Sequence, residues 1–140
     1  MEVTGGDEDF YRAPYKYKAT YGSTLSERST VFRLAEVYLI RAEARAQQSK
    51  IDLARDDVNA IRSRANVADV TTENVEELLV FIALEREREL FAEFGHRWFD
   101  LKRRGEADAV LGALEDKEWT TSDQWFPIPQ SAVKSNPNLN

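Results

Sequence analysis

Residues 85–104 constrain the fold of this chain most, because they combine dense charge with bulky apolar side chains. The run has the sequence ERERELFAEFGHRWFDLKRR. Glu85, Glu89 and Glu93 recur every four residues, so on a helix each lies one turn from the next. Arg86 falls on a face of the same helix that also needs burial. Burying such charges is costly unless each has a partner, so we expect carboxylates to hold the arginines.

The alternative interpretation of these charges is an acid/base site, and the structural clamp is preferred to it. Glycosidases use two carboxylates, but on opposing walls of a cleft. Glutamates four residues apart lie side by side on one helix, so the sequence predicts no catalytic residue. We expect the guanidiniums of Arg86 and Arg97 to be held by carboxylates from the set Glu43, Glu85, Glu89, Glu93 and Asp100.

Composition excludes several classes of site and partner. The formal net charge of −6 repels phosphate backbones, so nucleic acid is not an expected partner. The chain has no cysteine and one histidine, His96, so we predict no metal site and no cofactor. The start of the chain has neither a basic region nor an apolar core typical of a signal peptide, and there is no apolar run of membrane-spanning length.

Apolar periodicity predicts helices over most of the chain. They are expected from Ser29 or Thr30 to about Gln48, from Asp52 to near Asn66, from Thr71 or Thr72 into the charged run, and over His96–Arg104 after Gly95. A further helical turn is expected around Ala107–Leu114. The prolines of Phe126-Pro127-Ile128-Pro129 require extended backbone, and Ser131 would cap a last short turn.

The predicted first helix has two apolar stripes. One comprises Val31, Leu34, Ala35, Tyr38 and Ala42, and the other Val37, Ile40 and Ala44. Two stripes imply two helical neighbours, as for a helix inside a stack. On the second and third helices the inner faces are expected to hold Ala54, Val58, Ile61 and Ala65, and Val75, Leu78, Leu79 and Ile82. The first two helices resemble a tetratricopeptide hairpin, although only one copy is visible and the period departs from 34 residues.

The ends of the chain are expected to be less regular. Residues 1–29 contain Tyr11, Tyr15, Tyr17 and Tyr21 among glycines and a proline. We interpret them as an irregular segment whose tyrosines pin it to the helices, in preference to a sugar-stacking platform. Residues 15–18 alternate like a short strand but have no obvious partner. Trp119 and Trp125 are expected to anchor the polar connection over residues 105–125 from the surface.

Four separated motifs carry a resemblance to a known family. They are RLAEVYLIRAEA at Arg33–Ala44, VNAIRSRA at Val58–Ala65, the charged run, and FPIPQSAVKSNPNLN at Phe126–Asn140. Together they resemble the C-terminal part of the SusD/RagB family. The family's proteins are several times longer, so the resemblance implies a fragment. It implies an all-α fold of tetratricopeptide-like helical hairpins with irregular, extended N- and C-terminal segments. Residues 30–140 would form the SusD/RagB-like helical domain after the segment 1–29, as a single domain overall.

The resemblance also implies a function. Members are outer-membrane lipoproteins of Bacteroidetes that bind glycans or other nutrients at the cell surface and deliver them to a SusC-like TonB-dependent transporter. The family is not catalytic. The ligand would be bound mainly by the missing N-terminal region, and no ligand-binding motif of the family maps onto these residues. The rival from another class is an intracellular tetratricopeptide-like adaptor that binds a protein or peptide.

Overall fold

The structure is a computed structural model that describes residues 2–4, 10–12, 16, 30–136 and 138. Within these ranges the helices are α1 Leu34–Gln47, α2 Ile51–Arg64, α3 Val75–Glu89, α4 His96–Arg103, α5 Ala107–Leu111 and α6 Gln130–Ser135. A 3₁₀ turn covers Thr121–Gln124. The chain is therefore helical, as predicted, while the tetratricopeptide-like stacking stays a prediction.

A short hairpin precedes the helices. Strand β1, Glu2–Thr4, pairs antiparallel with β2, Phe10–Arg12, with Val3 opposite Tyr11. No pattern in the sequence predicted this hairpin. The strand-like alternation at residues 15–18 lies outside the described residues except for Lys16, which is in a bend.

The chain forms two compact units, residues 1–96 and residues 97–140. In the first unit α1 packs against both α2 and α3, and α2 also contacts α3. The largest fully buried side chains are Leu39, Leu78, Ile82 and Val58. Buried alanines at 42, 46 and 54 complete this core. Their small side chains allow the helix axes to approach closely, so the core combines a few large groups with short interhelical distances.

The buried face of α1 differs from the predicted one. Ala35 and Ala42 are buried as predicted, but Leu34 is 71% exposed and Leu39 is fully buried. The observed face, Ala35, Leu39, Ala42 and Ala46, follows helical spacing as regularly as the predicted stripe did. Periodicity could not choose between overlapping stripes, because the position of α2 and α3 decides which one is covered.

The second apolar stripe of α1 is uncovered. Val37 and Ile40 are each 53% exposed, and Ala44 is exposed as well. On α2 the predicted face is buried except for Ala65, and on α3 Leu78 and Ile82 are buried while Val75 and Leu79 are half-buried. Thus α1 has its two helical neighbours on one side and an apolar stripe open to solvent on another.

The observed starts of two helices differ from the predicted ones. The sequence placed the start of α3 at Thr71 or Thr72, yet Asn74 is the N-cap and its side chain accepts a hydrogen bond from the Glu77 amide at 2.9 Å. Thr72 belongs to the preceding turn, where its hydroxyl accepts from the Asn74 amide. Similarly, α1 begins at Leu34 after Arg33, four to five residues later than predicted.

The second unit contains most of α4, together with α5, the 3₁₀ turn and α6. Gly95 adopts φ +72°, a conformation that favours glycine, and lies directly before α4. It was predicted to end or bend the preceding helix, but α3 already ends at Glu89 and Gly95 lies in the turn that follows. Helix α5 is shorter than expected, and α6 begins at Gln130 after Pro129 rather than at Ser131. Residues 126–129 have no regular secondary structure, in agreement with their prolines. No helix in the described part of the chain has the length and apolar character needed to cross a membrane.

Two adjacent residues of α1 test the assignment of its buried face. Leu39→Ala removes a fully buried side chain and is expected to lower the free energy of unfolding by about 2–5 kcal/mol. Ile40→Ala is the matched control, since its half-exposed side chain leaves no enclosed cavity and should cost less than about 1 kcal/mol. Urea denaturation followed by circular dichroism measures both. Equal losses would contradict the assigned face.

Candidate functional site

Three glutamates at the end of α3 form the centre of a highly charged region of the first unit. Glu85 and Glu89 lie on the last two turns of α3, and Glu93 follows in the turn beyond it. Glu85 and Glu93 are buried, and Glu89 is half-buried. Carboxylates at a helix C-terminus face the negative end of the helix dipole, so they need cations nearby to be stable there.

Glu85 is paired across the helical core with α2. The Arg62 guanidinium donates to a Glu85 carboxylate oxygen at 2.9 Å, and its Nε donates to the carbonyl of Ala68 at 2.7 Å. Both side chains are almost completely enclosed. This pair therefore joins α2, the loop after it and α3 through charge-assisted hydrogen bonds.

Arg33 joins the residue before α1 to the end of α3. Its guanidinium contacts the Glu89 carboxylate, donates from Nε to Glu93 Oε2 at 2.9 Å, and donates from Nη2 to the Glu89 carbonyl at 2.7 Å. This arrangement satisfies several donors of one rigid guanidinium at once. The position of Arg33 as N-cap of α1 thus fixes where α1 begins relative to α3.

Two further cations complete the cluster. The Lys16 ammonium contacts the Glu93 carboxylate and donates to the Glu89 carbonyl at 2.8 Å. From α2, Arg64 Nη2 donates to Glu89 Oε2 at 2.6 Å. The carboxylates of Glu89 and Glu93 are therefore shared among groups from three parts of the chain. We call Lys16, Arg33, Arg64, Glu89 and Glu93 the terminal ion cluster.

The backbone around Glu93 is strained. Ala92 has φ +60° and Phe94 has φ +40°, values that L residues with a side chain rarely adopt. Each such residue costs about 1–2 kcal/mol. The ion pairs of Glu93 hold the residue between them in place. The terminal ion cluster therefore stabilises a turn that this sequence would otherwise disfavour.

The cluster changes the protonation equilibria of its members. Burial disfavours the charged form of Glu89, but hydrogen bonds from Arg64 and Arg33 outweigh it and lower its pKa. Burial likewise opposes ionisation of Glu93, whose pKa is nevertheless lowered by hydrogen bonds from Lys16 and Arg33. Against the effect of burial, both glutamates raise the pKa of Arg33. Glu89 and Glu93 are therefore ionised at neutral pH and unsuited to act as general acids there.

A second ion network lies between α1 and α2. Asp57, on α2, is buried and accepts from Arg41 Nη2 at 2.6 Å and from Arg45 Nη1 at 2.7 Å. The contact with Asp57 is the main cause of the raised pKa of Arg41. Arg41 also lies over the ring of Tyr38, at 4.9 Å from its centroid. The two networks together tie α1 to α2 and to the end of α3.

Ion pairs between carboxylates and arginines were predicted from the sequence, but for Arg86 and Arg97. The glutamates named in that prediction, Glu85, Glu89 and Glu93, do pair with arginines. Their described partners include Arg62, Arg33 and Arg64, which lie within the family motifs but were not predicted to pair with these glutamates. Arg86 is buried, as expected. That Arg86 and Arg97 are themselves held by the named carboxylates stays a prediction.

Metal binding and acid/base chemistry find little support in the described residues. No group of three or more histidine, cysteine, aspartate or glutamate side chains among them could hold a metal ion. The single histidine, His96, has its Nδ1 3.7 Å from Glu36 Oε1. The carboxylates of the terminal ion cluster lie side by side, bound to cations, rather than on opposing walls of a cleft. The arrangement can hold helices together and fix a turn.

The second unit contains a cluster of aromatic side chains around one lysine. The Lys102 ammonium lies 5.3 Å from the Trp98 ring centroid and 4.7 Å from that of Trp125. Trp98 and Trp119 meet edge to face at 6.0 Å. The indole of Trp119 donates to Asp108 at 2.8 Å. Trp119 is half-buried and Trp125 is exposed, which agrees with their predicted surface location. We call Trp98, Lys102, Trp119 and Trp125 the tryptophan–lysine cluster.

Removing one member of the buried pair is expected to be costly. Arg62→Ala leaves the Glu85 carboxylate enclosed without this partner, and should lower the free energy of unfolding by about 3–5 kcal/mol. Arg55→Ala is the control on the same helix, because its partner Asp52 is largely exposed and such a pair contributes at most about 1 kcal/mol. Chemical denaturation compares the two variants. A loss for Arg62→Ala no larger than for Arg55→Ala would show that the pair is well solvated.

The lowered pKa values of Glu89 and Glu93 predict a loss of stability in acid. Their contribution is fully present above the unfolded glutamate value of about 4.3 and is lost as pH falls through the folded pKa. The free energy of unfolding should thus decline below about pH 5. Glu93→Gln should be less stable at neutral pH and decline less steeply, whereas the exposed control Glu118→Gln should follow the wild type. An unchanged acid slope for Glu93→Gln would contradict the assignment.

Comparison with known proteins places the chain in a family. The sequence pattern of the SusD family matches residues 8–140. A SusD-like protein from Formosa agariphila is 32% identical over 124 residues, which cover 81% of this chain and 24% of that protein. The starch-binding protein SusD from Bacteroides thetaiotaomicron is 36% identical over 117 residues, which cover 78% of this chain and 20% of that protein.

The matches thus span about a quarter or less of the curated relatives' length. No solved structure matches the chain. The family match extends over both compact units and includes the arginines and glutamates of both ion networks. On this basis the chain belongs to the SusD family.

Proposed function

We propose that this chain is the helical C-terminal part of a non-catalytic glycan-binding protein of the outer-membrane surface. The protein would deliver its ligand to a SusC-like TonB-dependent transporter. Family membership supports the glycan, since one relative is named as a starch-binding protein. The observation that carries the proposal is that Glu85, Glu89 and Glu93 form ion pairs with arginines of the same chain. These ion pairs hold the helices together.

The same contacts support a non-catalytic role. A glycosidase needs one carboxyl group free to protonate the leaving group and a second one across the substrate. Glu85, Glu89 and Glu93 instead face cations of their own chain, and the pKa values of Glu89 and Glu93 are lowered. Such groups serve as structural anchors. Glycan capture followed by transfer is consistent with a rigid scaffold that leaves the ligand chemically unchanged.

The division of labour within the longer protein is part of the proposal. The glycan would be bound mainly by a region N-terminal to these residues, and the helices would support that region. The helical hairpin of α1 and α2 would belong to a tetratricopeptide-like stack, in which the exposed Val37 and Ile40 stripe contacts another helical pair. An intracellular adaptor would use a similar surface, but it would leave the match to the SusD family without an explanation.

Affinity purification and binding measurements test this function. The tagged protein, produced from its natural gene in its native host, should fractionate with the outer membrane and copurify with a TonB-dependent transporter. Titration calorimetry should show binding of at least one glycan, and reducing-sugar assays should show no turnover of it. Recovery in the cytosol without a transporter would favour the adaptor. Hydrolysis that Glu89→Gln abolishes, with folding retained, would overturn the non-catalytic assignment.

A further inference from the structure

The side chain of Trp125 is exposed and yet held in a defined orientation. Its exposed fraction is 71%, and that of the neighbouring Phe126 is 94%. The Lys102 ammonium lies over the Trp125 ring at 4.7 Å from its centroid. Because the lysine occupies one face of a ring that is mostly accessible, the opposite face must be open to solvent. An exposed aromatic face of this kind is available to a ligand.

The lysine is itself fixed by the turn that carries Trp125. Its Nζ donates to the carbonyl of Gln124 at 2.8 Å and lies 5.3 Å from the centroid of the Trp98 ring. Gln124 in turn donates through Nε2 to Asp108 Oδ2 at 3.0 Å. Asp108 also accepts from the Trp119 indole. The open ring is therefore supported by a closed set of contacts that joins α4, α5 and the 3₁₀ turn.

Contacts that restrict a ring before binding reduce the entropy lost when a ligand binds, because less of the ring's motion remains to be ordered. Polar residues also precede the ring closely in the chain. Thr121, Ser122 and Asp123 form the exposed 3₁₀ turn directly before Gln124, and Asp108 is exposed as well. A flat apolar face with polar residues close to it in the chain suits a ligand that has apolar C–H faces and hydroxyl edges, namely a pyranose sugar.

We propose that the open face of Trp125 is an accessory saccharide-stacking site, supported by the rest of the tryptophan–lysine cluster. The proposal rests on the proposed function for its ligand class. One sugar ring of a neutral oligosaccharide would lie on Trp125, with its hydroxyls directed toward the polar 3₁₀ turn. A single stacked ring gives weak binding, so the site would add to the affinity of a main site elsewhere in the protein rather than replace it.

Nuclear magnetic resonance of the 140-residue chain tests the site directly, because its three tryptophans give separate indole N–H signals. The probes are maltohexaose, cellohexaose and laminarihexaose, each titrated alone. At least one should shift the Trp125 indole signal with a Kd of about 1 mM. Trp125→Ala should weaken this binding about tenfold, whereas Trp125→Phe, which keeps an aromatic face, should weaken it much less. The exposed Phe99→Ala, outside the cluster, is the control and should bind as wild type.

The outcomes separate this site from the proposed function. Glycan binding by the protein from its natural gene, unchanged by Trp125→Ala, would leave the function standing and overturn the site. A Trp125 indole signal that none of the three hexaoses moves would also overturn the site. If Trp125→Ala instead lowers the stability of the longer protein without changing glycan affinity, then Trp125 packs against another part of that protein, and the saccharide site is wrong.

Discussion

The carboxylates at the end of α3 can be buried only because cations from three other parts of the chain reach them. Arg62 and Arg64 come from α2, Arg33 from the residue before α1, and Lys16 from the segment before that. Each contact fixes the position of one element relative to α3. Since a buried charge without a partner is strongly destabilising, helix placement and ion pairing are mutually dependent in the first unit.

This dependence gives Glu85, Glu89 and Glu93 a structural role. An acid/base catalyst needs a pKa near the working pH. The pKa values of Glu89 and Glu93 are instead lowered, further away from neutral pH. The cation contacts also stabilise the left-handed residues on either side of Glu93. A scaffold of this kind is consistent with the proposed role in capturing a glycan and passing it on. The exposed aromatic side chains of the second unit are then better candidates for ligand contact than the carboxylates.

Much of the fold could be predicted because local patterns carry it. Helices α1, α2 and α3 follow from apolar periodicity, the turn at Gly95 from glycine, and the extended residues 126–129 from proline. The predicted helix boundaries were less accurate. Asn74 caps α3 by accepting from the Glu77 amide, and the Glu77 carboxylate also accepts from the Thr72 hydroxyl in the preceding turn, so the cap depends on several residues together. The need for ion pairs was also predictable, because the charged residues on a helix that must be buried require partners of opposite charge.

The sequence by itself determined the helical class, the need for paired charges in residues 85–104 and the exclusion of a cysteine-based metal site. Only the tertiary structure decided which arginines meet which glutamates. Arg33 and Glu93 are 60 residues apart, and no local pattern encodes that contact. It also decided that Leu39, not Leu34, faces the core. The physical reason is the same in both cases: a helix presents several equivalent stripes, and only the positions of its neighbours select one.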